Sequence, residues 1–226
     1  LATVHAVDLS AHMMRAAIDK VGVDPMTIDD VYWGCAMPEA TQGLNVARLA
    51  WLRAGLSVEV PAATINRFCS SGLQTVALAA QEIMSDMADV VLAGGVEMMS
   101  QVPMSGYHTR LDPELTESYI GMGFTAERVA ARWKVTREDQ DRWALSSQQK
   151  AARAWNEGAF GEQVVPVPVE CVSWNGAEKS STTKDFSRDE LPRPETTLEG
   201  LAKLKPAFKV NGTVTAGNAS PYSDGE

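Results

Sequence analysis

Apolar positions recur along most of the chain, with a helical period in some stretches and as short strand-like runs in others. Between residues 73 and 87 they follow the three-and-four spacing of one helix face. Residues 90–93 are a short apolar run closed by two glycines, which predicts a buried strand. The other predicted helices are residues 8–21, 45–54, 125–133, 136–155 and 197–204, and the other predicted strands are residues 31–36 and 61–65. Alternating strands and helices favour an α/β layer with a largely parallel sheet.

Capping residues and composition refine this outline. We expect Asp8 and Thr125 to cap their helices, and the Thr136–Asp139 spacing predicts a capping box. Residues 103–125 contain several prolines and glycines with little periodicity, so they predict an excursion from the α/β layer. Residues 172–192 are polar and rich in serine and threonine, which predicts a loop or a weak hairpin.

Cys69 lies between the strand predicted at 61–65 and the helix that follows it. This order places the sulfur at the carboxyl end of a strand, where open α/β sheets usually build their sites. The N–H groups and positive dipole end of the helix favour a thiolate there and can stabilise a developing oxyanion. The alternative is a buried structural cysteine. Cys35 also lies near a strand end but precedes no helix, so we expect it in the core.

Charge and cysteine content exclude several classes of protein. The net charge of −9 argues against nucleic acid as a partner and against a polybasic membrane surface. No apolar run approaches the length of a membrane span. Three scattered cysteines are too few for a disulfide framework or a metal site, so we expect no metal and a reducing, cytoplasmic location.

Three separated stretches resemble one family. Residues 66–72 (NRFCSSG) with 94–100 (GGVEMMS), then 193–208 (RPETTLEGLAKLKPAF), then 212–220 (GTVTAGNAS) resemble the thiolases, which include acetyl-CoA acetyltransferases and 3-ketoacyl-CoA thiolases. The resemblance implies a thiolase-type α/β fold: an N-terminal mixed-sheet layer with an inserted CoA-binding loop domain, and the C-terminal half absent. The corresponding division is a core at 1–104, a loop domain at 105–205 and a return segment at 206–226.

The resemblance also implies roles for individual residues. Cys69 would carry the acyl group, and CoA would bind as a substrate, with no separate cofactor. The residues that match CoA-binding positions are Arg193, Met122, Phe208, Ala216 and Ser220. Arg193 matches an arginine that lies against the adenine ring, which guanidinium stacking explains. Gly121 stands where acetoacetyl-CoA-forming members often have histidine, so a longer acyl chain is compatible with this sequence.

The resemblance covers only part of the thiolase machinery. The family also uses Asn-Glu-Ala-Phe, Gly-His-Pro and Cys-x-Gly motifs, and this sequence contains none of them. His5, His12 and His108 do not lie in a Gly-His-Pro context, so we expect little turnover from this chain alone. The family associates near the strand at 90–95, which implies a homodimer or homotetramer.

Two other functions remain open from the sequence. One is a ketoacyl synthase of the same fold, against which the 94–100 and 212–220 stretches argue. The other is a non-catalytic acyl-CoA-binding relative, or a truncated product that persists as a structural partner.

Overall fold

The computed structural model describes residues 1–103 and 112–225. The chain divides into two compact units, each assembled from separate segments. Unit 1 comprises Leu1–Tyr107, Val165–Ser187 and Tyr222–Glu226, and unit 2 comprises His108–Val164 and Arg188–Pro221. The three consecutive domains expected from the family resemblance stay a prediction, because these units are defined by compactness and are discontinuous in sequence.

The six predicted helices and the three strands predicted around residues 31–36, 61–65 and 90–93 occur in the predicted order, and the described residues add two short strands and four 3-10 helices that were not predicted. The helices are α1 (Ala6–Val21), α2 (Val46–Arg53), α3 (Ser71–Met84), α4 (Met122–Trp133), α5 (Arg137–Asn156) and α6 (Leu198–Ala202). The strands are β1 (Asp30–Gly34), β2 (Ala63–Ile65), β3 (Val91–Gly95), β4 (Glu97–Met98), β5 (Val167–Asn175), β6 (Glu178–Phe186) and β7 (Asp224–Gly225). Short 3-10 helices occur at Pro25–Thr27, Ala40–Gln42, Met99–Gln101 and Pro113–Tyr119.

A three-stranded parallel sheet organises unit 1, in the order β2-β1-β3. Its central strand β1 pairs along its whole length with β3 and through its last three residues with β2. Two more pairs are antiparallel: β4 with β7, and β5 with β6. Parallel strands need crossover connections, and here α2 and α3 supply them.

The core of unit 1 packs α1 and α2 with β1. Trp51 and Met14 are fully buried, and Trp33 is nearly so. The indole N–H of Trp33 donates to Ser10 Oγ at 3.1 Å, and that of Trp51 donates to the carbonyl of Ser57 at 2.7 Å. Each large buried ring therefore has a partner for its polar group, which avoids the cost of an unpaired donor.

Two helices begin earlier than predicted, because their caps differ from those expected. His5 is the N-cap of α1, and its Nδ1 accepts from the N–H of Val7, so Asp8 lies inside the first turn. Helix α4 begins at Met122 after Gly121, which puts Thr125 inside the helix. The expected caps at Asp8 and Thr125 are therefore wrong.

The capping box at Thr136 is confirmed, since its Oγ1 accepts from the N–H of Asp139 at 3.1 Å. A hairpin forms where a loop or a weak hairpin was expected at 172–192, and it begins and ends earlier than that stretch. It starts at Val167, has two nine-residue strands and turns at Gly176, whose φ of 66° suits glycine.

Helix α3 is oriented differently from the expectation for a buried apolar stripe. Its buried residues are Ser71, Thr75 and Ala79, while Leu73 is 73% exposed and Met84 is 84% exposed. Small residues face the sheet because Gly34 of β1, which has no Cβ, lets the start of the helix approach closely. The strand expected to be buried, β3, is half-buried at the sheet edge.

Unit 2 contains α4, α5 and α6 together with the segment that follows α6. Arg137, in the first turn of α5, donates to the carbonyls of Leu201 and Leu204. These bonds join α5 to the end of α6, where carbonyl groups lack helical partners. Among residues 1–103 and 112–225, no helix is long and apolar enough to cross a membrane.

Candidate functional site

Cys69 is exposed and lies immediately before Ser70, the N-cap of α3. Strand β2 ends four residues earlier, at Ile65. The prediction that this cysteine stands at a helix entrance is therefore confirmed, and its sulfur is open to solvent.

The turn before Cys69 contains a strained residue. Phe68 has φ of 48°, a left-handed conformation that costs a non-glycine residue about 1–2 kcal/mol. Hydrogen bonds from Ser71, in the first turn of α3, offset this cost. Ser71 Oγ accepts from the N–H of Arg67 at 2.9 Å and donates to the carbonyl of Phe68 at 2.6 Å. The same carbonyl also accepts from the backbone N–H of Ser71 at 3.0 Å. The Arg67 N–H and the Phe68 carbonyl are thus both fixed to the helix.

The start of α3 lies directly against the end of β1. A Cβ added at Gly34 would lie 2.8 Å from the carbonyl carbon of Ser71 and 2.9 Å from the nitrogen of Gly72. One turn later, Thr75 Oγ1 lies 2.9 Å from the carbonyl oxygen of Gly94 on β3. Glycine at position 34 therefore sets how close the helix, and with it Cys69, approaches the sheet.

The first turn of α3 follows Cys69 directly in the chain. Its Ser71 N–H donates to the Phe68 carbonyl, whereas the Ser70 side chain makes no capping hydrogen bond and so does not occupy the remaining N–H groups of the turn. A helix start concentrates partial positive charge, which stabilises a thiolate and an oxyanion formed next to it. A thiol and N–H groups of a kind that can stabilise an anion are thus adjacent in the chain.

Cys35 differs from Cys69 in its burial and in its position relative to the helices. It is fully buried just after β1, and its Sγ lies 3.9 Å from Glu97 Oε1. Burial first, and then the Glu97 carboxylate, raise the pKa of the Cys35 thiol from 9.0 to about 12. The expectation that Cys35 is a core residue is confirmed.

Alkylation should separate these thiols. In the folded chain at pH 8, we expect iodoacetamide to modify exposed Cys171 about a thousandfold faster than Cys35. The reason is that burial shields Cys35 from the reagent and raises the pKa of its thiol from 9.0 to about 12, which by itself lowers its thiolate fraction about a thousandfold. Mass mapping of the peptides measures both rates, and equal rates without denaturant would contradict the buried position. In denaturant the two rates should converge.

Two histidines have local structural partners in unit 1. Nδ1 of His5 accepts from the N–H of Val7 at 3.2 Å, and Nε2 of His12 lies 2.9 Å from the carbonyl oxygen of Pro166. Both contacts are consistent with the expectation that neither is a general base. His108 lies outside the described residues.

Unit 2 contains a cavity of about 460 Å³, a volume suited to part of a cofactor-sized ligand. Arg193 and Ala216 both line it, and Ser220 lies between two further lining residues, Ala219 and Pro221. The backbone N–H of Arg193 donates to Gln148 Oε1 at 2.7 Å, which fixes this residue while its side chain remains exposed. Three of the five predicted CoA-binding residues are therefore at or beside one cavity.

Met122 and Phe208 do not line that cavity. They lie instead where the Phe208 ring packs against the start of α4. Met122 is the first residue of α4 and is 76% exposed. A Cβ on the next residue, Gly123, would lie 2.3 Å from the Phe208 ring, which also packs edge-on against Phe124 at 6.2 Å. Glycine at 123 thus makes room for the Phe208 ring at the start of α4.

Two buried carboxylates position the 212–220 segment. Glu127 on α4 accepts from the backbone N–H groups of Thr213 and Val214, both at 2.8 Å. Asp141 on α5 accepts from Asn218 at 2.9 Å and from Arg137 at 2.8 Å. The segment that contains Ala216 therefore takes its shape from ionised groups on neighbouring helices.

Comparison with known proteins identifies the family. The family model described as the thiolase N-terminal domain matches residues 1–226. The chain belongs to the thiolase family. It is 49% identical to the 3-ketoacyl-CoA thiolase of Bacillus subtilis (strain 168), over 100% of this chain and 59% of that protein. With the 3-ketoacyl-CoA thiolase of Pectobacterium carotovorum the identity is 43%, over 98% of this chain and 57% of that protein.

A solved structure supports the same assignment. The acetyl-CoA acetyltransferase of Bacillus anthracis superposes with a TM-score of 0.82 at 37% identity, covering 99% of this chain and 58% of that chain. The thiolase-type α/β fold expected from the sequence motifs is thereby confirmed. This thiolase chain spans less than three fifths of the length of each of these relatives.

Sequence reasoning missed the residues that position the thiolase motifs. Ser71, Glu127 and Asp141 are all buried polar residues whose partners are distant or backbone groups. A signal existed for Glu127, which shares a helix face with buried Ala130 three residues later. A carboxylate on a buried face requires hydrogen-bond donors, although the sequence does not say which.

Proposed function

We propose that Cys69 accepts an acyl group from an acyl-CoA thioester. The reaction would be thiolytic cleavage of a 3-ketoacyl-CoA, or its reverse, condensation of two acyl-CoAs. One observation carries the proposal: in a chain of the thiolase family, the exposed thiol of Cys69 stands at the first turn of α3, on a turn fixed by Ser71. The relatives, a 3-ketoacyl-CoA thiolase and an acetyl-CoA acetyltransferase, are named for the two directions of this reaction and so support both.

The proposed step exchanges one thioester for another. The Cys69 thiolate attacks the thioester carbonyl carbon, and the carbonyl oxygen becomes an oxyanion beside the N–H groups at the start of α3. When the carbonyl re-forms, the bond to the CoA sulfur breaks and CoA leaves as a thiolate, which takes up the proton lost by Cys69. The acyl group remains on Cys69 as a new thioester.

We further propose that unit 2 binds the CoA part of the substrate. Arg193 offers an exposed planar cation at the cavity, which suits stacking on an adenine ring. Ala216 and Ser220 supply a small side chain and a hydroxyl from the segment that Glu127 and Asp141 fix. Met122 and Phe208 are proposed as apolar contacts for the pantetheine arm. CoA is a substrate in this proposal, and no other cofactor is invoked.

We expect the acyl adduct to accumulate without sustained turnover. The family resemblance assigns activation of the nucleophile to a histidine in a Gly-His-Pro motif, which this sequence lacks. His5 and His12 are occupied in local contacts of unit 1. We also propose a homodimer or homotetramer, which the edge position of β3 supports because an edge strand has unpaired backbone groups on one side.

Mass mapping after incubation with acetyl-CoA tests the proposed function. We expect one acetyl group on Cys69 and release of an equal amount of free CoA. Cys69→Ser should form no adduct, whereas Cys171→Ser, which removes the other exposed thiol, should behave as the wild type. Acetylation of Cys171 to the same extent would show that the reaction is non-specific. Bound CoA without an adduct would instead assign the chain as an acyl-CoA-binding relative.

A further inference from the structure

The side chain of Asn66 joins the turn before Cys69 to the loop after β1. Its Oδ1 accepts from the backbone N–H of Phe68 at 2.9 Å, and its Nδ2 donates to the carbonyl of Ala36 at 3.0 Å. The two partners fix the orientation of the amide, because an N–H requires an oxygen acceptor and a carbonyl requires a nitrogen donor. One side chain thus bridges two segments thirty residues apart in the chain.

The loop after β1 is itself held by a polar network. Glu97 accepts from the backbone N–H of Ala36 at 2.8 Å and of Met37 at 3.0 Å. Glu97 Oε1 also accepts from Gln42 Nε2 at 2.6 Å, and Gln42, which is 1% exposed, accepts from the N–H of Met98 at 2.7 Å. The Met37 N–H that Glu97 binds belongs to the same peptide as the Ala36 carbonyl, so this carbonyl is a rigid attachment point for Asn66.

The residue that Asn66 binds is the strained one. Phe68 has φ of 48° and directly precedes Cys69. A backbone conformation of this kind persists only where surrounding contacts over-determine it. Ser71 holds the Phe68 carbonyl from the helix, and Asn66 holds the Phe68 N–H from the opposite side. Both backbone polar groups of Phe68 are therefore restrained by side chains.

We propose that Asn66 is a positioning residue for Cys69. Its amide keeps Phe68 in the left-handed conformation and so keeps the Cys69 thiol at the first turn of α3. It acts through the backbone and not by touching the acyl group. The inference deepens the proposed function, since it rests on Cys69 being the acyl acceptor, but the exposure and placement of the thiol can be measured without CoA.

The test compares iodoacetamide alkylation of Cys69 with that of Cys171 in the same 226-residue chain. In Asn66→Ala we expect the ratio of the two rates to fall about fivefold, the effect of losing one ordinary hydrogen bond on the placement of the thiol. Asn66→Ser keeps an acceptor for the Phe68 N–H and adds no charge, so it should recover about half of that loss on a logarithmic scale. If Asn66 only stabilised the fold and did not place the thiol, the ratio of the two rates would not recover in this graded way.

Asp24→Ala is the matched control. Asp24 Oδ1 accepts from the N–H of Met26, two residues on, at 2.9 Å, the same separation and distance as in the Asn66–Phe68 bond. It lies in unit 1 at the start of the 3-10 helix Pro25–Thr27. The Cys69-to-Cys171 ratio should therefore stay at the wild-type value. Protection of buried Cys35 in each sample reports that unit 1 is folded.

Three results would overturn the proposal: a ratio in Asn66→Ala within twofold of wild type, an equal fall in Asp24→Ala, or no rescue by Asn66→Ser. If Cys35 becomes reactive in Asn66→Ala, that variant is unfolded, and the ratio in Asn66→Ser compared with wild type decides the question instead. A parallel incubation with acetyl-CoA separates this inference from the proposed function. Absence of an acetyl adduct in the wild type would end the proposed function, while the alkylation ratios would still decide the role of Asn66.

Discussion

Gly34→Ala is expected to lower the free energy of unfolding by about 3 kcal/mol and to slow acetylation of Cys69 about a hundredfold. The new methyl group would lie within 3 Å of backbone atoms of Ser71 and Gly72. Backbone cannot avoid the clash by changing rotamer, so the start of α3 must move away from β1. Movement of about one ångström displaces the thiol from its place beside the sheet. Urea unfolding and the rate of adduct formation measure the two effects.

Gly72→Ala is the control for that change. It makes the same substitution on the other side of the same contact, and a Cβ at Gly72 meets nothing within 4 Å. Gly72 lies in the first turn of α3, where alanine is the better helix former, so we expect stability to be unchanged or to rise by up to about 1 kcal/mol. Equal losses in both variants would show that the end of β1 does not contact the helix.

Glu127→Gln is expected to lower the free energy of unfolding by about 2 kcal/mol at pH 7. The carboxylate is 6% exposed and accepts from the N–H groups of Thr213 and Val214 and from the Thr213 hydroxyl. Hydrogen bonds to a charged acceptor are stronger than those to a neutral amide, and the amide NH₂ would face donors. Glu138→Gln, at an exposed ion pair on α5, should change stability little.

The stability lost in Glu127→Gln should become smaller as the pH is lowered. Burial acts to raise the pKa of Glu127, but the hydrogen bonds from Val214 and Thr213 outweigh it and lower the pKa below 4.5. The carboxylate therefore contributes its stabilisation above about pH 4.5, and this is lost as the pH falls through the lowered pKa of the folded state. The difference between wild type and Glu127→Gln should narrow below pH 4.5. A constant difference down to pH 3 would contradict the assignment.

Local patterns were sufficient to predict the order of the six α-helices that the structure describes and of strands β1 to β3. They succeeded because an amphipathic period is written within a dozen neighbouring residues, but they located none of the described 3-10 helices. The capping box at Thr136 was found for the same reason. The caps of α1 and α4 were not, because several residues near each start have the chemistry to cap, and tertiary packing selects one.

The periodicity of the sequence did not predict which face of α3 packs against the sheet. The pattern from Leu73 to Met87 correctly predicted a helix, but the apolar stripe does not face the sheet. The side chains against the sheet are the small Ser71, Thr75 and Ala79, because Gly34 leaves space for close approach. A period identifies a helix face, whereas the neighbour of that face is set by residues distant in the chain.

The sequence by itself determined the family, the α/β class and the placement of Cys69 at a helix start, since each depends on short contiguous motifs. Only the tertiary structure decided which polar groups fix that cysteine and the 212–220 segment. Asn66 binds the Ala36 carbonyl, Glu97 binds the Ala36 N–H, and Glu127 binds the Thr213 N–H. These pairs are joined by hydrogen bonds between residues 30 to 86 positions apart, and no local pattern records which donors a buried carboxylate or amide will meet.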